Sequence, residues 1–483
     1  MPGVLAYGAY VPYHRLDRAD IGKSLGSGGG KGARAVASYD EDSTSLGVEA
    51  ARIALQRLPH ATRASRVGQL YFSTATPAYL DKTNATALHA ALRLDQRALA
   101  VDMAGSVRSG VGAFLAGTQS ATPTLVVLSD VRTGLPGGAD ERDGGDGAAA
   151  FLVGPGDAEL PVVAELVATA AATEEFLDRW RVPGDVASRT WEERFGEEVY
   201  LPLAEAAFAE AVKQADLTPD SIDHLIVTGL PTRAVKAAAK RTGVRPEAVV
   251  DDLAATVGNT GTAHPGLLLA DVLDRAEPGQ SIVVLTLADG ATATVFRTTD
   301  ALPGCRSTKP VAAQIAGGRR GLPYSTYLTW RGLLDREPPR RPDPDHPYAA
   351  PAYRRREWKF GLVASKCAAC GTRHLPPGRV CLSCHAVDEM TPEPMADVPG
   401  TLATYTIDRL AYSLNPPLLF VAVDYDGGGR FRCELTDAAP EEAAIGLRVE
   451  MTFRKLVTAG GIHNYFWKAK PVRSDISGEA GGN

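Results

Sequence analysis

The chain has 483 residues, 45% hydrophobic and 22% charged, with 49 glycines and 33 prolines. This is about three times the usual domain length, so two or three cores are expected and a disordered chain is excluded. The net charge of −6, without a lysine/arginine stripe interleaved with aromatics, argues against a nucleic-acid partner.

The opening Met1-Pro2-Gly3-Val4-Leu5 has no basic stretch leading into a long apolar run. No segment reaches the roughly 18 apolar residues of a membrane span, so a cytoplasmic protein with no membrane partner is expected. SGGGKGAR near position 30 is glycine-rich but is not closed by a Lys-Ser/Thr pair, which predicts a mobile loop and not a phosphate cradle. Apolar periodicity predicts a helix over 47–57, a buried strand over 69–77 and a helix over 83–92. The same order returns as a helix over 204–215, a strand over 224–231 and a helix over 233–241. A second pair of matches joins TLVVLSD (124–130) and GDGAAAFLVG (145–154) to the continuous run SIVVLTLADGATATVF (281–296). In both copies an Asp-Gly-Ala turn supplies small residues where backbones approach closely. Strands alternating with helices predict a mostly parallel sheet covered on both faces. Two repeated halves, 1–165 and 166–303, then build a five-layered αβαβα body.

Beyond Gly304 proline and arginine accumulate, and 304–353 is expected to be a linker with one anchoring helix in YSTYLTWRGLLDR. The patch Arg354, Arg355, Arg356 reads as a solvated face or as a dock for an acidic partner or CoA phosphates. Cys367-Ala-Ala-Cys370 and Cys381-Leu-Ser-Cys384 are two CxxC knuckles in a segment assigned to 354–395. Four thiolates at this spacing make a closed tetrahedral site suited to structural Zn(II), with no open position for water. A redox CxxC is the rival reading, and His374 and His385 lie close enough to substitute as ligands. Cys305 and Cys433 stand apart. Five short alternating strands over 396–475 suit a small β-barrel of the OB type. Several of its aromatics, Tyr412, Phe420, Tyr425, Phe431, Tyr465, Phe466 and Trp467, must be core.

Five stretches carry a resemblance: GAYVPYHRLDRADIG, YDEDSTSLGVEAARIAL, LDKTNATALHAAL, LVVLSDVRTGLPGGADERDGGDGAAAFLVG and VGNTGTAHPGLLLADVLDRAEPGQSIVVLTLADGA. Over residues 3–300 the chain resembles the prokaryotic 3-hydroxy-3-methylglutaryl-CoA (HMG-CoA) synthases of the thiolase superfamily. Over 324–475 it is similar to acyl-CoA-associated zinc-ribbon/OB-fold proteins, which in related systems are separate subunits bridging a thiolase and a synthase. The resemblance implies a CoA thioester substrate, a homodimer, and a cysteine nucleophile at a helix N-terminus served by a histidine and a glutamate. Those positions fall elsewhere here. The nucleophile segment 101–117 has no cysteine and Ser106 stands nearest its place; Ala75 occupies the acid's position and Gly229 the base's. The Gly258-Asn259 turn keeps its family residue. Asn259 is therefore a candidate donor to a thioester oxyanion, and His264 a candidate base or a residue packed at a turn. Asp289, in place of a small residue in the second Asp-Gly-Ala turn, is read as a functional group or, in preference, as bonding within its own turn.

Two functions follow. The first is an enzyme that forms or breaks a carbon–carbon bond beside an acyl-CoA thioester without the usual cysteine, or transfers an acyl group through Ser106. The second is a non-catalytic subunit that binds or channels an acyl-CoA for a thiolase or synthase partner.

Overall fold

The computed structural model describes residues 2–340 and 345–473; positions 341–344 of the expected linker and 474–475 of the expected barrel lie outside them. The described residues fall into two units. The first comprises the chain through Ala37, Asp42–Thr86 and Leu94–Leu328, and the second Ser38–Glu41, Ala87–Arg93 and the chain from Thr329.

The first unit is organised by runs with no polar face. Strands such as β1 (Gly3–Tyr10), β4 (Thr124–Asp130), β5 (Gly147–Gly154) and β8 (Ser281–Leu287) are buried at every residue. None of them is an edge strand of the nine-stranded sheet that they form with β2 (Gln69–Ser73), β3 (Leu99–Asp102), β6 (Ala164–Ala172), β7 (His224–Gly229) and β9 (Ala291–Thr298). The strand order is β7-β8-β9-β6-β1-β5-β4-β2-β3. The duplication is visible in this order. Outward from the central β1/β6 pair, β5, β4 and β2 on one side match β9, β8 and β7 on the other. A parallel bridge between Leu225 and Val249 stands in the second half where β3 pairs with β2 in the first.

The expected mostly parallel sheet is in fact mixed. Three neighbouring pairs are parallel and five antiparallel. The physical reason is the connection type: β8 passes to β9 through the tight Asp289-Gly290 turn, whose φ values of 45° and 117° reverse the chain with no crossover helix.

Five helices cover this sheet: α1 (Ser43–Leu55), α2 (Val107–Thr118), α3 (Glu193–Gln214), α4 (Thr232–Arg241) and α5 (His264–Arg275). α1 packs on β1, β5 and β4, and α3 on β6 and β9. α5 touches strands of both halves, which makes it part of a middle layer. Phe114 of α2 does likewise, meeting Phe151 of the first half and Phe296 of the second edge-to-face at 5.5 and 5.7 Å. Each such pair adds about 0.5–1.5 kcal/mol beyond simple burial. In the glycine-rich segment Ser27, Gly28, Gly30 and Lys31 are exposed, while at Gly32, with φ +85°, a Cβ would stand 2.4 Å from the Ala255 carbonyl oxygen.

Arg34, fully buried, holds the long β4–β5 connection in place. Its guanidinium pairs with Asp146 at 3.3 Å and donates to the carbonyls of Arg132 and Glu141 and to the Tyr327 hydroxyl. Asp146 in turn accepts from the backbone N–H of Ala37 and Arg132 at 2.6 and 2.8 Å.

In the second unit, three short strands, β10 (Val363–Cys367), β11 (Arg373–His374) and β12 (Met390–Pro394), frame the cysteine knuckles. A five-stranded barrel follows, with β13 (Gly400–Asp408), β14 (Leu418–Tyr425), β15 (Arg430–Glu434), β16 (Arg448–Ala459) and β17 (Ile462–Pro471) in the order β15-β14-β13-β16-β17. A parallel bridge from Leu435 to Ala469 closes it. Tyr425, Phe431, Tyr465 and Trp467 are buried, while Tyr412 and Phe420 are exposed. Beside the barrel wall lies a buried charge network. Arg454 meets Asp40 at 3.2 Å, Glu41 at 2.9 Å and Asp437 at 2.5 Å, and Lys468 meets Asp40 at 2.9 Å and Glu434 at 2.5 Å. Burial alone would raise the Asp40 carboxyl, but Lys468 and Arg454 hold it far below the usual range. Burial, opposed by Arg454, pushes Glu41 up to about 7.

Removing one partner of a buried ion pair strands the other, at roughly 3–5 kcal/mol. Arg34→Met should therefore lower the unfolding temperature of the first unit by several degrees in calorimetry, whereas exchanging the exposed Arg97 for Met should leave it unchanged.

Candidate functional site

A cleft of about 650 Å³ in the first unit is built where the C-terminal ends of β2, β7 and β8 meet the start of α2. Ala75, Thr76, Gly105, Ser106, Leu230 and Asp289 line it together with residues 178–186 and Ser188. A second cleft of about 570 Å³, lined by Asp140, Asp143, Trp191, Arg233, Lys236 and Asn259, shares Arg132, Asp178, Arg179, Leu230 and Pro231 with the first. The two are therefore adjoining parts of one depression.

Ser106 lies in this cleft at the N-cap of α2, where the helix presents its positive end. Its side chain is half-buried, and its backbone N–H points to Ser109 Oγ at 3.4 Å. Ala75, at the family's acid position, has only its backbone in play: its N–H donates to Asp130 at 2.7 Å and its carbonyl accepts from Arg181. Gly229, at the base's position, has φ +152°, and a Cβ there would stand 2.3 Å from the Leu287 carbonyl oxygen. The backbone at this point excludes a histidine as well as lacking one.

Asn259 lines the second cleft, but its amide is engaged: Nδ2 donates to the Gly229 carbonyl at 2.8 Å and Oδ1 accepts from the Gly261 N–H at 2.9 Å. His264 is not brought to the cleft. It opens α5, is 3% exposed, and has its Nδ1 against the backbone N–H and hydroxyl of Thr260 at 3.3 and 3.4 Å. Burial, opposed by Asp252, pulls its pKa down to about 4, so the ring is neutral near pH 7. The structure thus gathers Ser106 and Asn259 around one depression and leaves His264 in the core.

Three groups that sequence reasoning missed, or read as local, face the same cleft. Asp178 and Asp289 line it together with Tyr200 of α3. Tyr200 is 2% exposed and its hydroxyl accepts the Asp289 N–H at 3.2 Å. The Asp178 carboxyl is close enough to this hydroxyl for each to influence the other's proton affinity. Burial, reinforced by the charge of Asp289, raises the Asp178 carboxyl, and burial beside Asp178 raises the Tyr200 phenol. Asp130 supports the inner wall from behind. Its Oδ1 accepts from Thr74 Oγ1, the Ala75 N–H and Thr76 Oγ1 at 3.0, 2.7 and 3.3 Å, and its Oδ2 from the Thr262 N–H at 2.7 Å.

In the second unit the four cysteine sulfurs lie within 4.8 Å of one another, with Cys367 and Cys384 at 3.6 Å and Cys370 and Cys381 at 3.5 Å. Thiolates about 2.3 Å from one zinc stand about 3.8 Å apart, so the four sulfurs fit such an ion. The N–H groups of Ser383 and Cys384 point to Cys381 Sγ at 3.4 Å, support suited to a thiolate. His374 and His385 are outside this set.

The first unit, with its duplicated halves and central helix layer, has the thiolase-like fold. Within that class the chain is HMG-CoA synthase-like, and it carries a zinc ribbon and an OB fold at its C-terminal end. Residues 212–298 match the C-terminal domain of 3-oxoacyl-[acyl-carrier-protein] synthase III, 361–389 the rubredoxin-like zinc ribbon of ChsH2, and 393–454 the ChsH2 C-terminal OB fold. Hydroxymethylglutaryl-CoA synthase of Caldivirga maquilingensis is 28% identical over 351 residues, 69% of this chain and 98% of that protein. The synthase of Methanopyrus kandleri is 27% identical over 347 residues, again 69% of this chain and 97% of the relative. Among solved structures, MvaS in complex with 3-hydroxy-3-methylglutaryl coenzyme A superposes with TM-score 0.59 at 20% identity, covering 71% of this chain and 94% of MvaS. FabH of Pseudomonas aeruginosa superposes with TM-score 0.53 at 21% identity, covering 62% and 98%. Among the described residues no helix is long and apolar enough to cross a membrane.

Two outcomes follow for these groups. The unfolded chain binds a proton at His264 near pH 6.5 and the folded chain only near 4, so protonation favours unfolding between those values. Stability should fall as pH drops from 6.5 to 4, and His264→Asn should remove up to about 1.4 kcal/mol per pH unit from that slope in denaturant titrations. For the ribbon, metal analysis should find about one zinc per chain, and Cys381→Ser should abolish it.

Proposed function

We propose that this protein forms or cleaves a carbon–carbon bond next to a CoA thioester without a covalent cysteine intermediate, and that cleavage of a 3-hydroxyacyl-CoA is its most readily assayed direction. The observation that supports this reading most is the cleft itself. It has the N-terminus of α2 with the Ser106 hydroxyl, which the resemblance puts nearest the synthase nucleophile's place, lacks any side chain at Ala75 and Gly229 that could serve a cysteine, and carries a separate carboxyl and phenol. Aldol chemistry needs a base and an oxyanion donor but no nucleophile. Ser106 is assigned to the thioester oxygen. Asn259, with one amide N–H committed to Gly229, has a second to offer in the adjoining cleft, where Arg233 and Lys236 suit the CoA phosphates.

The wider assignment is a cytoplasmic homodimer of halves 1–165 and 166–303 joined through 304–353 to a ribbon and a barrel. In the ribbon, Zn(II) held by Cys367, Cys370, Cys381 and Cys384 would have a structural role. A second reading, a non-catalytic subunit that presents an acyl-CoA to a thiolase partner, is favoured by one feature: among the described residues no histidine lines either cleft beside Ser106.

The test is incubation of the full-length protein with acetyl-CoA, acetoacetyl-CoA and a panel of 3-hydroxyacyl-CoAs, followed by product analysis and intact-mass spectrometry. Consumption of a 3-hydroxyacyl-CoA with no protein adduct is expected. An acyl adduct lost in Ser106→Ala would replace this reading with acyl transfer through serine, and neither consumption nor adduct would leave the subunit reading.

A further inference from the structure

We propose that Asp178 is the proton-abstracting base of the cleft and that Tyr200 is the residue that positions it. The inference rests on the aldol reading above and names the group that reading requires.

The family's acid and base positions are an alanine and a glycine, and the second of these cannot carry a side chain without meeting the Leu287 carbonyl. His264 is sealed in the core on Thr260. A base must therefore come from a different wall. Among carboxylates of the first cleft, Asp289 is exposed, at the turn that Arg108 fixes by donating to the Ala288 and Asp289 carbonyls, and Asp185 lines that cleft alone. Asp178 is half-buried and lines both parts of the depression, where they adjoin.

The charged and titratable groups around Asp178 are Tyr200 from α3, Asp289 from the β8–β9 turn, its neighbour Arg179, and Arg132, Arg181 and Asp185 along the cleft. Arg179 is turned away to Asp140, and Arg181 to the Ala75 carbonyl. The neutral polar group beside Asp178 is therefore the Tyr200 phenol, which can steer the carboxylate without neutralising it. Burial and the nearby Asp289 raise the proton affinity of Asp178, the property a base needs near neutral pH.

In the forward cleavage, Asp178 takes the proton of the substrate's 3-hydroxyl. The oxygen's electron pair forms the carbonyl of the departing fragment, the bond between C2 and C3 breaks, and its pair moves into the thioester as an enolate. The proton on Asp178 then returns to C2. One molecule becomes a carbonyl compound and a shortened acyl-CoA, with no oxidant, reductant or water consumed.

The test uses the full-length protein, with 3-hydroxy-3-methylglutaryl-CoA and a longer 3-hydroxyacyl-CoA as cleavage probes. Exchange of the C2 hydrogens of acetoacetyl-CoA in deuterated water gives a second readout that does not require carbon–carbon cleavage. Asp178→Asn should lower both rates at least about 100-fold while KM changes only a few-fold. Tyr200→Phe removes the hydroxyl that lowers the carboxyl's proton affinity, so the acidic limb of the pH–rate profile should move to higher pH, which a purely structural role would not produce. If the wild type exchanges C2 hydrogens through Asp178 but cleaves nothing, the aldol reading fails and this inference stands. Near wild-type rates in Asp178→Asn would overturn it. So would the absence of exchange by a wild-type protein that binds acetoacetyl-CoA in equilibrium dialysis.

Discussion

The inner wall of the cleft depends on one buried anion. Asp130, at the end of β4, has no exposed surface, and its two oxygens are satisfied by donors instead of by a direct ion pair. A carboxylate in such a place is stable only if those donors stay where they are. Three of them come from the turn after β2 in the first half, and the fourth from Thr262 in the second, ahead of α5. The same charge therefore fixes the turn carrying Ala75 and joins it to the segment carrying Asn259. Gly261 fits between them because a Cβ would stand 2.4 Å from Asp130 Oδ2.

Around that wall the polar groups divide by role. Asn259 commits one amide N–H to Gly229 and its oxygen to Gly261, which leaves one N–H for the cleft, while His264 serves Thr260. The carboxyl and phenol with raised proton affinity come from Asp178 and from α3. The site has kept the synthase scaffold while its titratable groups stand elsewhere, as expected when function resides in the site and not in the fold.

What was legible in the sequence follows from distance along the chain. The zinc knuckles were readable because two ligands sit within four residues of each other, and the duplication because its strands are uninterrupted apolar runs. The proportion of parallel strands was misjudged because strand–helix alternation conceals the β4–β5 and β8–β9 reversals, which need no helix. His264 misled because it lies five residues from Asn259, a short path in sequence that the start of α5 turns into the core. Asp178, Tyr200 and Asp289 were out of reach as a set. They are up to 111 positions apart, each has an ordinary surface or core reading, and only the folded strand ends bring them to one cleft.

The second unit is not a contiguous piece of polypeptide. Ser38–Glu41 belongs to it although those residues are encoded almost three hundred positions upstream of its main body at Thr329. They bring the two carboxylates that Arg454 and Lys468 neutralise. The ribbon and barrel are consequently not a cassette that recombination could graft onto another enzyme by a single junction. A gene split between codons 328 and 329 would leave Arg454 with Asp437 and Lys468 with Glu434 but take away Asp40, the carboxylate they share, so the fusion is maintained by charge balance as well as by the continuity of the chain.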